Sequence, residues 1–320
     1  MRQFLSLRDH EQVTALAAQG LQLRQQPRAF AQLGAGLTMG LLFFNPSLRT
    51  RLSTQKAAQL LGMDCLPLDF GGQAWGIERA KGVVMDGDKA EHLIEAAGVL
   101  GRYCDVIGLR AFPSLSDREA DYAESLLREF AAAAGVPVVN LESATRHPLQ
   151  ALADLMTIQQ YRAPKPPKVV LTWAPHPKRL PQAVPNSFAE WMLAAGYELT
   201  IAQPPGYELA AERTAGARIE YDQDRALAGA DFVYAKNWSA YGDYGHCPAV
   251  AEDWQLTATK MARTQGGKFM HCLPVRRNVV VSDAVLDGPQ SLVLEQAENR
   301  VYAAQAVLKN IVEQLKSTSS

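Results

Sequence analysis

The sequence predicts an α/β protein built from two doubly wound parallel-sheet domains with a ligand cleft between them. Short apolar runs of strand length alternate with helical patterns along most of the chain, which is typical of parallel sheets covered on both faces. The 320 residues exceed the size at which single cores usually stop growing, so two domains are expected. In such folds, ligands bind beyond the carboxyl ends of the strands.

The elements follow in order along the chain. A proline-rich connector at 162–167 starts the second set, so we place the boundary near residue 150, with domains 1–150 and 151–298. The last helix, about 299–316, could pack on either domain, and we assign it to the first. Strands are predicted at 40–44, 64–69, 106–109, 136–141, 168–173, 198–202, 232–235, 269–272 and 291–294. Helices are predicted at 52–61, 90–103, 122–134, 149–161, 185–195, 222–228 and 299–315.

Composition excludes several classes of function. The net charge of −1 gives no argument for a nucleic-acid or membrane partner, and no apolar run approaches the roughly 20 residues of a membrane span. Residues 1–6 lack the apolar core of an export signal, so a cytoplasmic location is expected. The four cysteines lack C-x-x-C spacing, which argues against structural zinc and favours reduced thiols.

The stretch Ser47-Leu48-Arg49-Thr50-Arg51 is the most informative motif. It follows the apolar run 40–44 and a breaker pair, and it opens a predicted helix. The first N–H groups of a helix have no intrahelical partner, and the helix dipole adds positive charge there. Two hydroxyls and two guanidiniums at that point fit a phosphate. The alternative is an ordinary N-cap with solvated arginines.

Further chemistry-bearing residues follow other predicted strands. One Arg or His at a strand end is usually a surface or capping residue, but several clusters on one rim favour a ligand site. In chain order they are Arg110, Glu142, Arg146-His147-Pro148-Leu149-Gln150, His176, Lys236 and His271-Cys272-Leu273-Pro274.

These motifs together closely resemble those of the carbamoyltransferases, over nearly the whole chain and in matching order. The resemblance implies two Rossmann-like domains, the first binding carbamoyl phosphate and the second an amine. It also implies a homotrimer with active sites shared between subunits.

The resemblance assigns roles to residues. The phosphate is expected to bind Ser47, Leu48, Arg49, Thr50 and Arg300. The carbamoyl group is expected to bind Arg110, His147, Pro148, Leu149, Gln150, Cys272 and Leu273. Arg110 and His147 would donate to the carbonyl oxygen, which becomes more negative as the amine attacks. The Gln150 amide and the carbonyls of Cys272 and Leu273 would accept from the carbamoyl NH₂. The expected catalytic residues are thus Arg110, His147, Gln150 and Cys272.

Cys272, the histidines and Trp75 allow other interpretations. Cys272 could be a covalent nucleophile, but no second histidine or acid recurs at a defensible spacing. No cofactor is expected and no metal, because the arginines supply charge and the histidines lack ligand spacing. Trp75, in the polar loop 71–76, is expected to reach the neighbouring subunit's site, the alternative being a partly exposed packing tryptophan.

Lys236 indicates the identity of the second substrate. Ornithine-specific relatives carry an acid where this chain has Lys236, and a lysine would repel an α-ammonium but attract an α-carboxylate. Arg276 and Arg277, after the motif 271–274, are expected to add cations where further substrate oxygens could lie, and the pattern resembles the N-acylornithine branch. Glu142 would then contact the δ-amine of the substrate. The α-carboxylate and the acyl group would be held by His176, Lys236 and Arg276.

The acyl group is read from Ala90. Acetyl-type relatives carry glutamate there and succinyl-type relatives proline, and alanine removes a charge that would repel a succinyl carboxylate. The runs 144–148 and 174–182 resemble the succinyl type, and Val280 replaces a lysine of the acetyl type.

The sequence therefore predicts carbamoyl transfer to the δ-amine of N²-succinyl-L-ornithine in arginine biosynthesis, with N-acetyl-L-ornithine as the alternative. An alternative of another class is an inactive carbamoyl phosphate-binding paralogue. A second alternative is an NAD-dependent enzyme, but no predicted strand of this chain is followed by the G-x-G-x-x-G turn that binds the dinucleotide.

Overall fold

Two parallel β-sheets organise the chain, one in each half. The computed structural model describes residues 1–10, 12–70, 75–247 and 252–318. The first sheet has the strand order β2-β1-β5-β6 and the second β11-β10-β7-β8-β9, and both are flanked by helices. The predicted two-domain α/β fold is confirmed.

The first half contains the smaller sheet and a separate pair of two-residue strands. Its elements are α1 (Val13–Gln25), β1 (Thr38–Phe43), α2 (Leu48–Leu60), β2 (Asp64–Asp69), β3 (Ile77–Glu78), β4 (Glu91–His92), α3 (Leu93–Tyr103), β5 (Val106–Arg110), α4 (Arg118–Ala123), α5 (Ser125–Ala134), β6 (Val138–Glu142) and α6 (Pro148–Tyr161).

The second half contains the five-stranded sheet and ends in a long helix. Its elements are β7 (Lys168–Trp173), α7 (Ala183–Ala194), β8 (Glu198–Ala202), α8 (Ala211–Thr214), β9 (Arg218–Glu220), α9 (Gln223–Leu227), β10 (Phe232–Lys236), α10 (Ala258–Ala262), β11 (Lys268–Met270), α11 (Asp283–Leu286) and α12 (Val293–Thr318).

The predicted strand at 291–294 is wrong. Only Ser291 makes an isolated bridge, to Phe269, and α12 begins at Val293. Val293 and Gln296 are buried whereas Leu294 is 75% exposed, which is the one-sided burial of a helix and not the two-sided burial of a central strand.

Other differences concern local breaks and weak patterns. The predicted helix 122–134 is two helices, because Glu124 adopts a left-handed conformation between them and turns its carboxylate onto Thr145. Helix α1 and the three-residue strand β9 were not predicted. Helix α1 is only weakly amphipathic, so its sequence does not indicate which residues are buried. Its buried residues are those against which α12 and α6 pack.

Helix α12 packs against α1, α2 and α6, so the end of the chain returns to the first half. Residues of both sheets join one continuous apolar cluster through α6, whose Leu152, Leu155 and Ile158 are fully buried. This arrangement holds the two sheets side by side with their site residues facing one cleft. Within the described residues, no helix is long and apolar enough to cross a membrane.

Candidate active site

A cleft of about 530 Å³ lies where the predicted site residues meet. It is lined from the first half by the start of α2, the ends of β5 and β6 and the start of α6. From the second half it is lined by the loops after β7 and β11, the end of β10 and one residue of α12. Its lining includes Ser47, Leu48, Arg49, Thr50, Arg110, Glu142, His147, Gln150, His176, Lys236, Cys272, Leu273, Arg276 and Arg300. Phe112, Leu180, Pro181 and Val184 line it too and were not predicted.

The start of α2 forms one end of the cleft. Ser47 is the N-cap, and its hydroxyl accepts a hydrogen bond from the Thr50 N–H at 3.3 Å. The predicted start at 52 was therefore four residues late, and the whole motif lies in the first turn. Burial lowers the pKa of Arg49, which still carries its charge at neutral pH. Capping and anion binding are thus compatible uses of one helix terminus.

Arg300 of α12 reaches the same turn. Its guanidinium donates to Thr50 Oγ1 at 2.7 Å and to Gln150 Oε1 at 2.9 Å. Burial lowers the pKa of Arg300 to about 10, so it remains a cation at neutral pH. The packing of α12 against α2 and α6 thereby supplies a buried positive charge beside the helix terminus.

Arg110, Glu142 and His147 form the middle of the cleft. The register of β5 and β6 shifts between Leu109 and Arg110, so that Arg110 lies opposite Glu142 and pairs with its carboxylate. The Arg110 guanidinium also lies 4.4 Å from the Phe112 ring centre. His147 Nε2 is 3.5 Å from Glu142 Oε2. Glu142, expected at the amine, therefore lies directly beside the two predicted carbonyl donors.

His147 is uncharged in this environment. Burial, then the neighbouring Arg300 and Arg110, lowers the pKa of His147 well below its usual value. Its backbone N–H donates to Ser187 Oγ at 2.8 Å, which fixes the start of α6 against α7. Its Nδ1 has no hydrogen-bond partner among the described residues. A neutral imidazole can donate one hydrogen bond to a carbonyl oxygen.

Cations line the opposite wall. Lys236 is buried at the end of β10, and its ammonium donates to the Asn237 carbonyl at 3.2 Å. Burial lowers the pKa of His176, and so do Lys236 and Arg276. Arg277 does not line the cleft, because its guanidinium pairs with Asp283 at 2.8 Å and Asp287 at 2.6 Å. The expectation that Arg277 adds charge for the substrate is therefore wrong.

The segment 271–274 closes the cleft with backbone groups. His271 Nδ1 accepts from the Leu273 N–H at 2.9 Å, Leu273 has a φ of 50°, and the Leu273–Pro274 peptide is cis. Burial raises the pKa of Cys272. The thiol is therefore protonated at neutral pH, which argues against its use as a covalent nucleophile.

Some predicted residues lie outside the cleft. Pro148 and Leu149 are buried behind it in the first turn of α6. Trp75 is 61% exposed, and its indole N–H donates to Glu91 at 2.9 Å. Ala90 is exposed near β4, with its N–H donating to the Gly76 carbonyl at 3.2 Å. Residues 71–74 of the Trp75 loop lie outside the described residues.

Asp154 and Gln296 support the cleft from behind and were not predicted. Asp154 Oδ1 accepts from Gln150 Nε2 at 2.7 Å and from Gln296 Nε2 at 2.6 Å. The available signal was an acid one turn after Gln150 on an otherwise apolar helix. In the part of the chain that the structure describes, no group of three His, Cys, Asp or Glu side chains could hold a metal ion.

One interdomain cleft thus holds a helix terminus, four arginines, a neutral histidine and a lysine, and these groups define a site for an anionic substrate. Residues 2–160 match the carbamoyl-P binding domain, and residues 181–311 the Asp/Orn binding domain, of aspartate/ornithine carbamoyltransferases. The chain belongs to the aspartate/ornithine carbamoyltransferase family.

Individual relatives are more specific. The chain is 50% identical over 318 residues to the N-succinylornithine carbamoyltransferase of Bacteroides thetaiotaomicron, covering 99% of this chain and 100% of the relative. It is 40% identical to the N-acetylornithine carbamoyltransferase of Xanthomonas campestris pv. campestris, covering 87% and 88%.

A solved structure is also similar. It is an N-acetyl-L-ornithine transcarbamylase variant, with one glutamate replaced by alanine, complexed with carbamyl phosphate and N-succinyl-L-norvaline. Its TM-score is 0.91 at 36% identity, covering 97% of this chain and 100% of that chain.

Proposed function

We propose that the chain transfers the carbamoyl group of carbamoyl phosphate to the δ-amine of N²-succinyl-L-ornithine, giving N-succinyl-L-citrulline and phosphate in arginine biosynthesis. The observation that carries the reaction is the shared cleft, in which Arg110, His147 and Arg300 lie beside the anion-binding start of α2. The likeness to carbamoyltransferases over both domains supports it.

The mechanism follows from the charges. The phosphate binds the first turn of α2 with Arg49 and Arg300, whose charges favour its dianion. The amine lone pair forms a C–N bond, the carbonyl electrons move to oxygen, and Arg110 and His147 stabilise that oxyanion. Collapse breaks the C–O bond to phosphate, which leaves with the electron pair and takes up the proton that the attacking amine loses. The carboxylate of Glu142 would hydrogen-bond the attacking amine, and its position beside Arg110 and His147 supports this role.

The acceptor is assigned from the opposite wall. Lys236 and Arg276 favour carboxylates and disfavour a free α-ammonium, which supports an N-acylated ornithine. Ala90 leaves no charge to repel a succinyl carboxylate. The similar acetylornithine enzyme whose glutamate is replaced by alanine was complexed with N-succinyl-L-norvaline, and we infer that this glutamate corresponds to Ala90. N-Acetyl-L-ornithine is the second candidate, because acetylornithine enzymes are also close relatives.

The proposal includes a separate role for each domain and the assembly of the subunits. Residues 1–150 with α12 would hold carbamoyl phosphate, and residues 151–298 the acylornithine. A homotrimer with shared sites is supported by the position of Trp75 and Ala90 outside their own chain's cleft. It is also supported by exposed apolar side chains on α2, β2 and α3, which are Leu52, Leu66, Leu68, Ile94 and Val99. The cytoplasmic location stays a prediction.

The test is an assay with carbamoyl phosphate and each of ornithine, N-acetylornithine and N-succinylornithine. We expect phosphate release to be fastest with the succinyl compound and slowest with ornithine. Fastest turnover of plain ornithine would contradict the inference from Lys236. Binding of carbamoyl phosphate without turnover of any acceptor would instead support the inactive paralogue.

A further inference from the structure

A carboxyl group without access to the cleft lies directly beneath it. Asp154 is on the second turn of α6, its side chain is fully buried, and it does not line the cavity. Its Oδ1 accepts from the amides of Gln150 and Gln296 at 2.7 and 2.6 Å. Its Oδ2 has no hydrogen-bond partner among the described residues. A buried carboxyl group is costly, so its presence here calls for a physical reason.

The Asp154 contacts lead in two directions to segments that line the cleft. Gln150 Oε1 accepts from Arg300 at 2.9 Å, and Arg300 donates to Thr50 Oγ1 at 2.7 Å. Gln296 Oε1 accepts from the His271 N–H at 2.9 Å. One continuous series of hydrogen bonds thus joins the start of α2 to the segment 271–274, with Asp154 in its centre.

The direction of these hydrogen bonds is set by the acid. An ionised carboxylate can only accept, so both amides must turn their NH₂ groups toward Asp154. Each amide oxygen then points away, that of Gln150 to Arg300 and that of Gln296 to the His271 backbone. A neutral carboxyl or amide at position 154 is a weaker acceptor and can also donate, so it would not impose this order on the amides.

We propose that Asp154 is a positioning residue, whose ionised carboxylate orients Gln150 and thereby Arg300 for carbamoyl phosphate. The inference rests on the proposed function and adds a residue that does not touch the substrate. Its action passes through the Gln150 amide, which shares the cavity wall with His147 and Arg300.

The charge state of Asp154 makes the proposal measurable. Burial raises the pKa of Asp154 to about 7, while Gln150, Gln296, Arg300 and Tyr234 act to lower it. The titratable groups that face it are Arg300 from α12, Tyr234 from β10 and Cys272 after β11. Burial raises the pKa of Tyr234 and of Cys272, so both are neutral near pH 7. Asp154 is therefore the group among them that titrates near neutrality.

Protonation of Asp154 should have opposite effects on activity and on stability. Activity should fall as the pH drops through about 7, because a protonated carboxyl is a weaker acceptor and can also donate, so it no longer fixes the direction of both amides. The folded-state pKa lies above the unfolded value of 3.8, so the folded state binds the proton more tightly. The associated stabilisation is present at low pH and is lost as the pH rises through about 7.

The test compares Asp154→Asn with Thr157→Val. Asparagine keeps the shape and removes the charge. Thr157 is one turn further along α6, is equally buried and accepts from Asn299 at 2.9 Å, but it does not line the cleft. For Asp154→Asn we expect kcat to fall at least ~10-fold, the KM for carbamoyl phosphate to rise and the acid limb near pH 7 to flatten. Its melting temperature at pH 8 should not fall.

Thr157→Val should show the reverse, with a lower melting temperature but wild-type kcat and pH profile. Should Asp154→Asn not fold, Gln296→Met replaces it, and loss of an amide that lowers the pKa of Asp154 should move the acid limb to higher pH. Wild-type kcat, KM and acid limb in Asp154→Asn, or in Gln296→Met if that variant is used, would overturn the inference, as would equal losses in Thr157→Val.

Calorimetric titration with carbamoyl phosphate separates this inference from the proposed function. If the wild type turns over no ornithine derivative, the proposed function fails. The binding affinity of Asp154→Asn then still decides the positioning role, since at least ~10-fold weaker binding than in the wild type and Thr157→Val is expected. Equal affinity in all three proteins would contradict it.

Discussion

Thr50 receives two guanidiniums on one hydroxyl oxygen. Arg300 donates to Oγ1 at 2.7 Å, and Arg110 approaches it at 3.4 Å. Like charges repel when buried, and the pKa of Arg300 is lowered by burial first and by Arg110 and Arg49 in addition. The carboxylate of Glu142 opposes this effect from one side only. A dianionic substrate would complete the charge balance, which is why the cleft should favour phosphate compounds.

Replacing Arg110 by alanine tests the proposed oxyanion stabilisation. We expect kcat to fall ~10²–10³-fold, because a donor is lost and the Glu142 carboxylate is left buried without its partner. Steady-state kinetics with saturating carbamoyl phosphate measure this. The matched control is Arg162→Ala, since Arg162 is exposed and its guanidinium donates to the carbonyls of Ala163 and Pro164. Comparable losses in both variants would rule out a specific role.

Ala90 tests the choice of acyl group. Ala90→Glu should shift the kcat/KM ratio from N-succinylornithine toward N-acetylornithine, because a carboxylate near the acyl group repels the succinyl carboxylate by ~1–4 kcal/mol. In the control variant Ala90→Gln, the new side chain has the size of glutamate but no charge, so the kcat/KM ratio should change much less. An unchanged ratio in Ala90→Glu would remove the argument from this loop.

At the scale of elements, two helix starts create the site. Helix α2 begins at Leu48 and presents its free N–H groups beside Ser47, and α6 begins at Pro148 just after His147. A proline in the first turn costs no intrahelical hydrogen bond, so Pro148 can begin α6 after the short loop 143–147 that follows β6. Helix α12 then packs against both and inserts Arg300 between them.

Ser47→Ala should separate capping from ligand binding. Loss of the cap should lower stability by ~1 kcal/mol, and loss of the hydroxyl should raise the KM for carbamoyl phosphate. Thr257→Ala removes an equivalent cap from α10, outside the cleft, and should lower stability without changing the KM. Thermal melts and initial rates measure the two effects. If Ser47→Ala behaved like Thr257→Ala, Ser47 would be a cap alone.

At the scale of the molecule, one chain brings most of the site together but leaves Trp75 and Ala90 outside its cleft. If these residues complete a neighbouring subunit's site, two inactive variants can complement each other. Arg110→Ala and Trp75→Ala subunits, allowed to exchange, should regain activity at interfaces that combine two intact contributions.

The matched control is a mixture of Arg110→Ala and His147→Ala subunits, which damage the same side of the site and should recover nothing. A mixture of Arg110→Ala and Trp75→Ala as inactive as its parents would contradict shared sites.

Much of this molecule was predictable because its signals are local. Most of the apolar strands, and the positions of Arg110 and Lys236 at the ends of strands, depend on neighbouring residues, and the structure agrees with these predictions. The strand at 291–294 failed because a short apolar run does not distinguish a buried strand from the start of a helix. Arg277 failed because its partners Asp283 and Asp287 are chosen by the fold of a turn.

The sequence by itself determined the fold class, the phosphate motif and the family resemblance, since periodicity, capping and motif spacing are properties of the chain. Only the tertiary structure decided that Glu142 pairs with Arg110 and that Asp154 links Gln150 to Gln296. The Arg110–Glu142 and Asp154–Gln296 contacts join residues far apart in sequence. Their strength comes from burial, because removal from water makes the direction and pairing of each polar group matter.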